Sequence, residues 1–210
     1  MNGLELFARG RLSDIGPTVL ATLMNRAPPD NPNVVTSVAS ILADVQNRGD
    51  QALLEMAERF DEVVLKGLEV PSSAWKKANN ALDPRVRAAL ERAARNIRAF
   101  HETQVPDEVS LDVEPGVRIT RAWAPLQRIG VYAPGGRAAY PSSVLMGVIP
   151  AKAAGVGEVL VCSPPGPSGS PPDEVLAACA VAGADRLFAI GGAGAVAALT
   201  YGTQTIPPVD

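Results

Sequence analysis

The chain has 210 residues, of which 47% are apolar and 20% charged, and its formal net charge is −3. This composition is ordinary for a globular protein with a sizeable core, and it leaves no basic surface for nucleic acid and no polybasic patch for a membrane. No apolar run approaches the roughly 20 residues needed to span a bilayer, and no secretory signal is visible, so we expect a cytoplasmic protein.

The amino-terminal half predicts mainly helices. Residues 1–33 have no periodic apolar face, and we expect an irregular arm there. From Val34 to about Thr103, apolar side chains recur at steps of three and four, which predicts successive helices. We expect these helices to begin at caps provided by Asp50, by Ser72 or Ser73, and by Asp83 followed by Pro84.

Extended structure is predicted next. A short extended piece is expected at 68–70. Residues 109–124 alternate apolar and polar side chains around Glu114-Pro115-Gly116, which predicts a β-hairpin.

From Arg128 onward, short apolar strands alternate with helices. The predicted strands are RIGVYA at 128–133, EVLVCS at 158–163 and RLFAI at 186–190. This alternation predicts βαβ units and an α/β fold with a doubly wound parallel sheet. The chain therefore divides into an irregular arm (1–33), a helical region with a hairpin (34–124) and an α/β domain (125–210). Because three parallel strands leave a sheet edge uncovered, we expect this domain to be incomplete, either truncated or dependent on another chain.

Few residues could support metal or acid–base chemistry. His101 is the single histidine, and we interpret it as the end of a helix. Cys162 and Cys179 fall in apolar elements, which favours reduced core thiols. Zinc sites and histidine-based acid–base sites usually need more than one imidazole. We therefore expect no complete metal site and no histidine-based acid–base site in this chain.

Two glycine-rich turns follow predicted strands. Tyr132 opens the turn YAPGG, in which Gly135 and Gly136 could let backbone amides approach a phosphate or a ring. The alternative is a tight turn that needs glycine. A second turn at 192–197 formally matches GxGxxA, a variant of the dinucleotide-binding pattern, and close helix–strand packing explains it at least as well.

A third run, AAYPSSVLM, contains two serines. Ser142 and Ser143 are nucleophiles in principle, but no base is placed beside them, and capping a helix explains them better. Pro150 lies inside the same helix and is expected to kink or interrupt it.

Several segments resemble the histidinol dehydrogenase family. The longest is RIGVYAPGGRAAYPSSVLMGVIPAKAAGVGEVLVCSPP at 128–165. Others are RGDQALLEMAERFD at 48–61, RNIRAFHETQ at 95–104, EPGVRI at 114–119 and AIGGAGAVAALTYGTQTIPPVD at 189–210. The resemblance implies an aldehyde-dehydrogenase-like α/β architecture. It also implies a zinc-dependent, NAD-linked homodimer that oxidises L-histidinol to L-histidine in two steps of histidine biosynthesis.

The same resemblance implies which residues bind the cofactor. Tyr132, Gly135, Gly136 and position 194 are expected to contact NAD, but Gly194 stands where the family has a glutamine. Gly147 also departs from the family, in which asparagine is common. We therefore expect weakened NAD binding.

The family's zinc ligands, its catalytic Glu–His pair and most of its histidinol contacts have no counterpart in this chain. The resemblance thus implies an amino-terminal half that has no catalytic and no metal-binding residue and is inactive alone. Two alternatives remain open: a non-catalytic binding module, or a family member that acts on another alcohol such as a sulfonated diol.

Overall fold

The computed structural model describes residues 11–24, 31–135 and 138–210. The chain divides into two compact units, residues 1–36 and residues 37–210. In the first unit, a 3-10 turn at Leu12–Asp14 precedes helix α1 at Pro17–Met24. The prediction of an irregular arm is wrong for α1, because Pro17 is pre-organised for a first helical position and the following run is too short to show a period. The predicted three-part division of the chain stays a prediction.

The next four helices follow the predicted order. They are α2 at Pro32–Arg48, α3 at Asp50–Asp61, α4 at Ser72–Ala81 and α5 at Pro84–Glu102. The predicted cap of α5 is confirmed, since the Asp83 carboxylate accepts a hydrogen bond from the backbone N–H of Arg85 at 2.8 Å.

Two other predicted caps are wrong. Asp50 is the first helical residue of α3, and its own N–H donates to Oε1 of Gln204 at 2.8 Å. Its carboxylate instead accepts hydrogen bonds from the hydroxyl and backbone N–H of Thr205. Helix α4 begins at Ser72 after Pro71, without a side-chain cap.

The predicted hairpin is confirmed, with strand β1 at Val109–Glu114 and strand β2 at Val117–Arg121. The two strands are antiparallel, and Leu111 lies opposite Ile119. Every residue of both strands is exposed.

The predicted parallel sheet is also confirmed. Its strands are β3 at Arg128–Tyr132, β4 at Glu158–Ser163 and β5 at Arg186–Ala189, in the order β3-β4-β5. Helices α6 (Pro141–Ala153) and α7 (Asp173–Ala182) connect the strands, and α8 (Gly192–Tyr201) follows β5.

The β5 edge of this sheet has an extended partner, so the expectation of an uncovered edge is wrong there, whereas along β3 the described residues add a single backbone hydrogen bond, at Arg128. The extended piece at 68–70 pairs antiparallel with β5, since the N–H of Val70 donates to the carbonyl of Leu187 and the N–H of Ala189 to that of Leu68, both at 2.8 Å. At the other edge, the N–H of Asp210 donates to the carbonyl of Arg128 at 3.0 Å. Periodicity within the strands cannot reveal either partner.

Helix α6 begins differently from the prediction. Pro141 is its first residue and Tyr140 precedes it, without a side-chain cap, so Ser142 and Ser143 are not caps. Proline at the first helical position moves the start upstream of both serines. The helix continues through Pro150 to Ala153 and is not interrupted.

Helices cover both faces of the parallel sheet. Val159 and Val161 of β4 face a cluster formed with α4, α5, α6 and α7, whereas Leu160 and Cys162 face a cluster formed with α2, α3 and α8. The alternation arises because successive side chains in a strand point to opposite faces. Both cysteines are free and buried, which confirms their prediction as core thiols. Within the described ranges, no helix is long and apolar enough to cross a membrane.

Candidate functional site

A cavity of about 380 Å³ lies at the carboxyl ends of the parallel strands. One wall comes from α2 and α3, and the other from the turns that follow β3, β4 and β5. Ligands of open parallel sheets bind at this end of the strands. The cavity is therefore the candidate functional site.

The structure brings the predicted cofactor residues together in this cavity. Tyr132, Gly135 and Gly194 all line it, although Gly194 is about 60 residues from the other two in sequence. Gly136 lies outside the described residues. The two glycine-rich turns, which the sequence presents as separate motifs, thus form one site.

Tyr132 links these two turns directly. Its hydroxyl accepts a hydrogen bond from the backbone N–H of Gly192 at 3.3 Å, and Gly192 is the first residue of α8. The side chain is 39% exposed, so the ring remains accessible from the cavity. A helix start offers unpaired N–H groups and a partial positive charge, which suits an anionic ligand.

Packing accounts for part of the glycine content of the turns. A Cβ atom at Gly135 would lie 2.8 Å from Cγ of Pro164, and one at Gly191 would lie 2.8 Å from Cβ of the same proline. Both distances are below any normal contact, so Pro164 excludes side chains from both turns. The interpretation of Gly135 as a glycine required by a tight turn is therefore supported. Gly135 also lines the cavity, so the two interpretations are compatible.

Gly194 allows α3 to approach α8. A Cβ atom there would lie 3.1 Å from Sδ of Met56 and 3.2 Å from Cδ2 of Leu53. Gly194 is buried, and Met56 and Leu53 line the same cavity. The close packing that the sequence suggested for this turn is therefore between two helices rather than between a helix and a strand.

Sequence reasoning missed the contribution of α3 to the cavity. Met56, Phe60 and Asp61 line it, and all three belong to the segment RGDQALLEMAERFD. Burial raises the pKa of the Asp61 carboxyl. In the sequence, Asp61 is unusual only as a carboxylate at the carboxyl end of a helix, where the helix dipole disfavours negative charge, and this does not indicate a cavity.

The remaining candidate residues lie outside this site. His101 is near the end of α5, where its Nδ1 lies 2.6 Å from Oε1 of Gln104, which confirms its predicted position. Burial raises the pKa of the thiols of Cys162 and Cys179 to about 12, so neither provides a ready thiolate. In the part of the chain that the structure describes, no group of three His, Cys, Asp or Glu residues is close enough to hold a metal ion.

Comparisons with known proteins agree with the resemblance. Residues 24–210 match the family model described as histidinol dehydrogenase. The histidinol dehydrogenase of Methanosarcina barkeri is 43% identical over 201 residues, which are 95% of this chain and 46% of the relative. That of Burkholderia lata is 49% identical over 181 residues, covering 83% of this chain and 41% of the relative.

A solved structure gives the same result. The crystal structure of histidinol dehydrogenase from Elizabethkingia anophelis superposes with a TM-score of 0.85 at 30% identity, over 93% of this chain and 45% of that one. The chain spans about half the length of the relatives it matches. On the family match and these identities, the chain belongs to the histidinol dehydrogenase family.

Proposed function

We propose that this chain forms the NAD-binding part of a histidinol dehydrogenase, which oxidises L-histidinol to L-histidine in two NAD-dependent steps. The observation that carries the proposal is the meeting of Tyr132, Gly135 and Gly194 in one cavity at the carboxyl ends of parallel strands. Cofactors of doubly wound folds occupy this place. The proposal includes the aldehyde-dehydrogenase-like, doubly wound arrangement for the complete sheet.

The cavity suits the parts of a dinucleotide. The amides that follow Gly192 in the first turn of α8 offer donors and positive dipole charge to a pyrophosphate. Met56 and Phe60 give α3 an apolar surface for an aromatic ring. Tyr132 would orient the cofactor through its ring and hydroxyl. NAD, when bound, supplies the hydride acceptor.

Zinc does not fit the residues described here. The two cysteines are fully buried with raised pKa values, and His101 lines a different cavity. We propose that the zinc ligands, the general base and the histidinol contacts come from the further length that the relatives have. It follows that the 210 residues alone would not turn over histidinol, because the alcohol is neither oriented nor deprotonated.

The assembly and location of the active protein are also proposed. We propose a cytoplasmic homodimer, as the resemblance implies. Two free, buried thiols suit a reducing compartment.

Binding and complementation together test this proposal. The purified chain would be titrated with NAD by calorimetry. It would then be co-expressed with the carboxyl-terminal half of the Methanosarcina barkeri relative, and NADH formation would be followed with zinc and histidinol. We expect NAD binding by the chain alone, and turnover only after co-expression. Absence of NAD binding would contradict the cofactor role, and turnover by the chain alone would contradict its dependence on a second part.

The same assay separates the alternatives. A chain that binds NAD but gives no turnover with the complementing half would be a non-catalytic binding module. Turnover of a sulfonated diol in preference to histidinol would identify a different substrate.

A further inference from the structure

Asp61 occupies an unusual place in the cavity wall. It is the last residue of α3 and is only partly exposed. Among the described residues that line the cavity, it alone carries a charge. The rest of the lining is apolar side chains, glycine backbone and the Tyr132 ring.

This position disfavours a carboxylate in two ways. The carboxyl end of a helix carries partial negative charge, so an anion there is repelled. Burial also raises the pKa of Asp61, and it is the only influence that shifts it. In the described ranges, no ion pair and no hydrogen bond to this carboxylate compensates.

Several other aspartates of the chain are compensated. Asp44 pairs with Arg48 at 2.6 Å, and Asp185 pairs with Lys152 at 2.5 Å. The Asp83 carboxylate caps a helix start. Asp61 therefore lines the cavity without a hydrogen-bond or ion-pair partner among the described residues.

We infer that Asp61 is the residue that selects NAD over NADP, by accepting hydrogen bonds from the hydroxyls of the adenosine ribose. This inference rests on the proposed function and deepens it. A carboxylate with free acceptor sites matches a vicinal diol, which offers two donors. The 2′-phosphate of NADP would place a second anion beside it, in a cavity whose described lining offers no Lys or Arg to neutralise it.

The placement of the other cavity elements agrees with this role. The amides at the start of α8 suit the pyrophosphate, and Asp61 lies on α3, which forms the opposite wall. A dinucleotide with its phosphates at α8 would extend its ribose toward α3. Asp61 acts on the cofactor by direct contact and has no part in the hydride transfer.

Calorimetric titration of the 210-residue chain with NAD and with NADP tests the inference. The variants are Asp61→Asn, Asp61→Arg and, as a matched control, Glu62→Gln, which removes the same charge from the exposed neighbouring residue. We expect the wild-type chain to prefer NAD. Asp61→Asn should weaken NAD binding about tenfold, because charge-assisted hydrogen bonds are lost, and should strengthen NADP binding. Asp61→Arg should reverse the preference, and Glu62→Gln should change neither affinity.

Adenosine 2′,5′-bisphosphate and AMP locate the effect on the adenosine ribose. We expect the Asp61 variants to bind AMP more weakly, as they do NAD, and to bind adenosine 2′,5′-bisphosphate more tightly, as they do NADP. Equal changes for NAD and NADP, or none, would overturn the inference and leave the proposed function intact. Failure of the wild-type chain to bind NAD would overturn both. Thermal melting of each variant confirms that the titrated protein is folded.

Discussion

The hydroxyl of Tyr132 accepts a hydrogen bond from the backbone N–H of Gly192, with 3.3 Å between the two heavy atoms. This contact joins the end of β3 to the start of α8. It also occupies one of the N–H groups that a helix start leaves without an intrahelical partner. Tyr132 therefore both shapes the turn that we propose receives the cofactor and lies beside the amides that would bind its phosphates.

Removal of this hydroxyl should weaken cofactor binding without unfolding the chain. We expect Tyr132→Phe to reduce NAD affinity about fivefold, the equivalent of one ordinary hydrogen bond of about 1 kcal/mol. The matched control is Tyr201→Phe, at the far end of α8 and outside the cavity lining. Calorimetry provides the affinities. Unchanged or tighter binding by Tyr132→Phe would show that the hydroxyl serves only Gly192.

The effect of having glycine at position 194, where the resemblance implies a glutamine, can be tested by substitution. A side chain at Gly194 must displace Sδ of Met56, which lies 3.1 Å from the position of its Cβ. We expect Gly194→Gln alone to destabilise the chain by about 1 kcal/mol, because extra volume is forced between α3 and α8. The double variant with Met56→Ala should recover stability and bind NAD more tightly than wild type, if the glutamine amide that the resemblance implies at this position contacts the cofactor.

The control for this pair is Val196→Gln, on the exposed face of α8. Urea unfolding measures stability and calorimetry measures NAD affinity for all four proteins. A double variant that binds NAD no better than wild type would show that the missing amide does not limit binding.

The sequence predicts the elements of this fold better than their ends. The strands around Val131, Val161 and Leu187 follow from short apolar runs between turn residues, and Asp83-Pro84 marks a helix start through local chemistry. The start of α3 could not be predicted in this way, because its partner Gln204 is 154 residues away. Pairing of the segment 68–70 with β5 is likewise a tertiary contact.

The residues of the candidate site likewise divide into those that local sequence predicts and those that only tertiary contacts reveal. Tyr132, Gly135 and Gly194 are found from motifs, because glycine-rich turns after strands have a recognisable pattern. Met56 and Asp61 cannot be found from a motif, because a residue in an amphipathic helix is ordinarily interpreted as core or solvated surface. Only the packing of α3 against α8 shows that these two face a cavity.

Gly147 should be required for the packing of α6 on the sheet. A Cβ atom there would lie 2.6 Å from Cγ1 of Val131 in β3. We expect Gly147→Ala to lower the free energy of unfolding by about 1–3 kcal/mol through overpacking, and Val131→Ala in the same chain to recover part of the loss. Gly67→Ala is the control, because no atom lies within 4 Å of the position of its Cβ. Equal urea midpoints for Gly147→Ala and Gly67→Ala would refute the packing role of Gly147.

The buried thiols should make the chain sensitive to alkali. Burial raises the pKa of Cys162 and Cys179 from 9.0 to about 12. The folded state then keeps both thiols protonated while the unfolded state ionises, so stability is complete below about pH 9 and is lost as pH rises from there toward about 12. By about pH 10 the loss should reach about 1.4 kcal/mol for each thiol.

Urea unfolding as a function of pH measures this loss. The variants Cys162→Ala and Cys179→Ala should each show a shallower decline than wild type, whatever their stability at neutral pH. All other ionisable groups are common to the three proteins, so the difference in slope isolates the thiol. Parallel declines would contradict the assignment.

The hairpin should drive self-association of the chain through one of its faces. Leu111 and Ile119 lie opposite each other and are 62% and 59% exposed, whereas the other face carries the Asp112–Arg118 ion pair at 2.7 Å. A two-stranded hairpin is marginal by itself, and an exposed apolar face is a common interaction surface. We therefore expect the purified chain to sediment as an oligomer.

Substitutions on the two faces separate this effect from a general change in solubility. Leu111→Lys with Ile119→Glu places opposite charges across the strands, which preserves the pairing and puts charges at the centre of the apolar face. The control pair, Ser110→Lys with Thr120→Glu, makes the same change on the polar face, where the two hydroxyls lie 2.8 Å apart. The first variant should sediment as a smaller species and the control as wild type does. If both behaved alike, the apolar face would not be the surface through which copies associate, and the proposed homodimer would need another interface.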